Sequence, residues 1–129
     1  QAAFLSVKLK YLDIENEKRR VNAETYSILL QNARLILPQQ AGEEHVWHQY
    51  IVRSSRRNQL QKWLQRHGVD TQIHYPLPPH QQECYPEYNH FSFPLTERLS
   101  QEILSLPISS YMEKEELTII AEAINHFIE

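Results

Sequence analysis

A helix-period apolar pattern opens this 129-residue chain, and it has two apolar sides. Ala2, Leu5, Leu9 and Leu12 recur at three- and four-residue spacing, which marks one helical face. Phe4 and Val7 lie off that stripe. One face can pack on the domain's own sheet, while the other calls for a partner outside this sequence, either a missing domain or a second subunit. No N-cap residue or acidic first turn precedes the pattern, so the expectation is of a chain that begins inside a helix. Ala23, Tyr26 and Leu30 extend the buried side and predict one long helix to about Gln31.

Shorter periods follow. Leu35-Ile36-Leu37-Pro38 predicts a brief strand closed by proline, then a polar loop over 39–44. His45 to Arg53, rich in β-branched and aromatic residues, predicts a second strand. Ser54 or Ser55 caps a helix with Leu60, Trp63, Leu64 and His67 on its buried stripe, stopped by Gly68. Val69, Thr71, Ile73 and Tyr75 alternate with polar residues, as in a half-buried strand. A helix around Leu95, Leu99 and Ile103 precedes a strand from Leu104 to Pro107. Ser110-Tyr111-Met112-Glu113 has the spacing of a capping box for a last helix, whose buried side carries Leu117, Ile120, Ala121, Ile124 and Phe127. This order predicts a single α+β domain over 1–129, a two-layer arrangement in which helices cover one face of a small, mainly antiparallel sheet.

Composition excludes several functions. A net charge of −3 offers phosphates no sustained basic surface, which argues against nucleic acid as a partner. No apolar run reaches the length of a membrane span and no segment reads as a signal peptide. Cys84 is the single cysteine, so no internal disulfide forms, and a cytoplasmic setting is expected. Gly42 and Gly68 are the only glycines, too few for a phosphate-cradling loop.

The seven histidines raise a metal reading. His45 and His48, three apart, would point to opposite faces of a strand, and no metal site is expected. Cys84 and Ser105 lack the local context of a nucleophile. The most unusual stretch is His74-Tyr75-Pro76-Leu77-Pro78-Pro79-His80. Its prolines hold an extended loop at low entropic cost, and a histidine and a tyrosine at a stiff strand end suit the rim of a polar, phosphate-bearing ligand site. A proline-terminated strand with a satisfied surface histidine accounts for the same residues equally well.

Here the residues resemble the DegT/StrS group of sugar-nucleotide aminotransferases, enzymes of pyridoxal-phosphate fold type I. The likeness runs in order along the chain: Gln1 to Leu5 with Lys8-Leu9; His45 to Tyr50 with Arg53; Gly68-Val69-Asp70-Thr71 leading to Ile73-His74-Tyr75-Pro76 and His80; Phe93-Pro94-Leu95; and Leu104 to Ile108. The resemblance implies the C-terminal small domain of a homodimeric enzyme that moves an amino group from glutamate to a nucleotide-linked keto sugar. It implies that pyridoxal 5'-phosphate and its Schiff-base lysine belong to an N-terminal large domain absent here, so the chain alone is expected to bind no cofactor and to be inactive. It implies His74, Tyr75 and, less directly, His80 as substrate contacts, with a leaning toward C3 amination of thymidine-diphosphate sugars. The alternatives are a related cofactor-dependent sugar dehydratase and a non-enzymatic interaction module.

Overall fold

The computed structural model describes residues 1–39, 42 and 44–128; the loop expected over 39–44 lies partly outside them. The N-terminal rod is present but divided into α1 (Ala2–Leu9) and α2 (Leu12–Leu29). Neither proline nor glycine forces the break. The amides of Lys10 and Tyr11 reach back three residues, to Val7 and Lys8, which tightens and ends α1. No α1 residue is buried, whereas α2 buries Asn22, Ala23 and Tyr26, so only the second segment is held by packing.

A two-stranded sheet with one isolated bridge on either side forms the extended layer. β1 (Tyr50–Arg53) pairs antiparallel with β2 (Ile103–Leu106), Tyr50 opposite Leu106 and Ile51 opposite Ser105. Ile36 bridges Arg53 on one side and Gln72 bridges Ser105 on the other, both antiparallel. Alternation sends Tyr50, Val52, Leu104 and Leu106 into the core. They meet Ala23 and Tyr26 of α2, Leu60 and Leu64 of α3 (Arg57–Arg66), and Leu117, Ile120 and Ile124 of α5 (Lys114–Asn125). The α+β two-layer expectation holds. The opposite sheet face carries Ile51, Arg53, Ile103 and Ser105; there Arg53 donates from Nε and Nη2 to one Glu102 oxygen, at 3.1 and 2.6 Å.

The expected strand from His45 is shorter, because Trp47 takes a positive φ of 47° and turns its indole into the core. α4 (Pro94–Glu102) ends one residue before Ile103, which opens β2 directly. Ser110 does not cap α5. It is buried, its hydroxyl has no partner among the described residues, and the box forms three residues later between Glu113 and Glu116. His67 is exposed and stacks on Trp63 at 4.2 Å instead of packing in the core.

Gly68 closes α3 at φ +75°. The Val69 amide returns to the Leu64 carbonyl at 2.9 Å and the Gly68 amide to Gln65 at 3.1 Å, a Schellman motif. A side chain there would meet nothing within 4 Å, so a substitution costs backbone strain alone. Gly68→Ala is expected to lower stability by about 1–2 kcal/mol, measurable as a lower midpoint in urea with unchanged slope.

Candidate functional site

The proline-rich stretch is positioned by the turn that Gly68 makes. After it the chain runs extended, and Gln72 exchanges both backbone bonds with Ser105, at 3.2 and 2.8 Å. His74, two residues on, shares the outer sheet face with Ser105, and its Nδ1 lies 2.8 Å from the Ser105 hydroxyl. The His74–Tyr75 peptide bond is cis. Tyr75 stands edge-on to the His74 ring at 5.6 Å and is 69% exposed, not on the buried side that alternation predicts. The reason is that, among the described residues, this segment pairs by a single bridge at Gln72 and has left the sheet before Tyr75.

A cleft of about 250 Å³ opens beside them, with His48, Asp70, Thr71, His74, Ser105 and Pro107 in its lining. The Thr71 hydroxyl is buried with no partner among the described residues. A more apolar hollow of about 520 Å³ adjoins it, sharing Asp70, Pro107 and Ile108. The cleft thus offers hydrogen-bonding groups from His48, Asp70, Thr71, His74 and Ser105, which suits a polar ligand better than an apolar one.

His80 sits elsewhere. The 3₁₀ turn Pro79–Gln81 buries its ring to 6% exposure, with Nε2 3.1 Å from Glu97 Oε1 and the Phe93 ring edge-on at 4.9 Å. Glu97 also accepts the Phe93 amide at 2.7 Å. That bond first, and His80 next, hold the Glu97 carboxyl below its usual range. A depressed carboxyl contributes stability above the unfolded value of about 4.3 and loses it as pH falls through the lower folded value. Acidification through that range is therefore expected to lower the protection of the Phe93 amide relative to its intrinsic exchange rate at the same pH. Glu97→Gln, which keeps an acceptor oxygen but cannot titrate, should make that protection nearly constant over the same pH range.

His45 and His48 precede β1, so the strand argument against a shared metal does not apply to them. Instead the His45 Nδ1 accepts the Trp47 amide at 3.1 Å and its ring packs on the indole at 4.2 Å. Among the described residues no three His, Cys, Asp or Glu side chains converge to hold a metal. Cys84 is exposed, its thiol 3.7 Å from the Gln82 side-chain oxygen. Lys8, Lys10, Lys18, Lys62 and Lys114 are all exposed on or beside helices, and none is among the residues lining the cleft. Sequence reading gave Ser105 no role as His74's partner, although the alternation of Leu104 and Leu106 already placed it outward.

Comparison with known proteins matches residues 1–125 to the DegT/DnrJ/EryC1/StrS aminotransferase family. A dTDP-3-amino-3,6-dideoxy-alpha-D-galactopyranose transaminase of Aneurinibacillus thermoaerophilus is 42% identical over 98% of this chain and 35% of its own length. The crystal structure of S. venezuelae DesV, solved in complex with a ketimine intermediate, superposes with a TM-score of 0.91 at 32% identity, over 100% of this chain and 37% of that one. NtdA from Bacillus subtilis, solved with bound PMP cofactor, gives 0.81 at 28% identity, over 91% of this chain and 29% of that one. The chain spans about a third of the length of the relatives it matches. No helix among the described residues is long and apolar enough to cross a membrane.

Proposed function

This chain belongs to the DegT/DnrJ/EryC1/StrS aminotransferase family, and on that premise we propose that it serves as the C-terminal small domain of a sugar aminotransferase and supplies contacts to a nucleotide-linked keto-deoxysugar. The whole enzyme would take its amino group from glutamate and act as a homodimer in the cytoplasm. A dTDP-linked sugar aminated at C3 is the preferred substrate, a choice supported by the name of the Aneurinibacillus relative. Pyridoxal phosphate, bound by the rest of the enzyme, would supply the electron sink for amino transfer. The work proposed for this chain is binding and orientation.

One observation carries the reading: His74, tethered to Ser105, lines a polar cleft, and the exposed Tyr75 ring stands edge-on to it. An imidazole N–H suits a phosphate or sugar oxygen, and a tyrosine ring gives a flat face for a base or sugar. His80 would act indirectly, by holding the following loop through Glu97. The apolar side of α1 (Phe4 is 79% exposed) fits packing against the cofactor-bearing part or the second subunit.

The test is a hybrid in which this chain replaces the matching segment of the Aneurinibacillus relative. The hybrid is expected to transaminate a dTDP-linked 3-keto sugar with glutamate. A hybrid that folds, dimerises and binds cofactor but turns over no nucleotide-linked sugar would refute the proposal.

A further inference from the structure

We infer that Ser105 is a positioning residue that locks the His74 ring in one tautomer, with Nε2–H offered to the cleft as a hydrogen-bond donor for an oxygen of the ligand. The inference rests on the reading of His74 as a ligand contact. Ser105 is held rigidly: both its backbone groups are bonded to Gln72, and it is 7% exposed. Its hydroxyl has His74 Nδ1, at 2.8 Å, as its only side-chain partner among the described residues. If the hydroxyl accepted a proton from Nδ1, no described residue would take its own hydrogen. Donating to Nδ1 satisfies it. The ring proton then belongs on Nε2.

Nε2 has no bond to any described residue and is not among the fully buried atoms that lack a partner. His74 lines the cleft, and an N–H there selects an acceptor: a phosphate, carbonyl or hydroxyl oxygen. The opposite tautomer would present a lone pair and would repel those same oxygens unless they carried a proton. Ser105 thereby sets which ligand atoms the cleft accepts.

The experiment is nitrogen-15 NMR of the His74 ring in the whole chain at mildly alkaline pH. The wild type is expected to show a single neutral tautomer, with a protonated-type shift at Nε2 and an unprotonated-type shift at Nδ1. Ser105→Ala should move both shifts toward the average of the two tautomers, and Ser105→Thr, which keeps the hydroxyl, should restore them. A wild-type proton on Nδ1, or an alanine variant with unchanged shifts and an intact fold, would overturn the inference. Adding dTDP as the probe separates this from the functional reading. A tautomer set by Ser105 with no His74 response to dTDP, in chain or hybrid, upholds the positioning role and counts against nucleotide contact.

Discussion

Tyr50→Ala is expected to destabilise the fold by about 3–5 kcal/mol, the range for removing a buried aromatic ring. Tyr50 is fully buried at the start of β1, between α2 and the turn at Trp47. Its ring lies 5.0 Å from Tyr26 of α2 and stacks at 5.6 Å on Trp47. Its hydroxyl is 3.2 Å from the Ser27 hydroxyl. Alanine would leave a cavity that rigid neighbours on a strand and a helix cannot close. Tyr50→Phe keeps the ring and should lose only about 1 kcal/mol, the net worth of one hydrogen bond. Urea unfolding of the two variants checks both figures, and a small loss for alanine would mean that α2 and β1 can repack.

The second large effect concerns binding. His74→Ala in the hybrid enzyme is expected to raise KM for the nucleotide-linked sugar roughly 10- to 100-fold, since a hydrogen bond to a charged group is worth about 1.5–3 kcal/mol. A much smaller change in kcat should accompany it, because the role proposed for the residue is binding rather than proton transfer. His80→Ala should behave differently. His80 touches Glu97 and Phe93 rather than the cleft lining, so its loss should first loosen the loop, seen as faster exchange at the Phe93 amide. Equal KM penalties for the two variants, with the loop intact in both, would contradict the division of labour between them.

The layers of the fold were readable because burial follows period. Tyr50 and Val52 on β1 and Leu104 and Leu106 on β2 alternate inward, and Leu60 and Leu64 keep helical spacing on α3. Gly68 marked its own αL position. What escaped sequence reading depends on contacts distant in the chain. Trp47 takes a positive φ because its indole gains a core site against Tyr50, and no local propensity signals that. Ser110 has the residue type and spacing of a cap, yet burial withdraws it and Glu113 takes the position. The division of the rod at Lys10 has no sequence breaker behind it, only the lack of packing on α1. Within the site, His74 and His80 look alike in the motif. Ser105, 31 residues after the first, and Glu97, 17 after the second, give them different settings.

The family assignment does not depend on the cleft, but the role given to the cleft does depend on what touches it. The direct measurement is hydrogen exchange along the hybrid enzyme, with and without the dTDP-linked sugar. Slowed exchange at residues 72–75 and 105–108, centred on the His74–Ser105 pair, is the result this account predicts. Protection elsewhere, with those amides exchanging at an unchanged rate under saturating sugar, would contradict it.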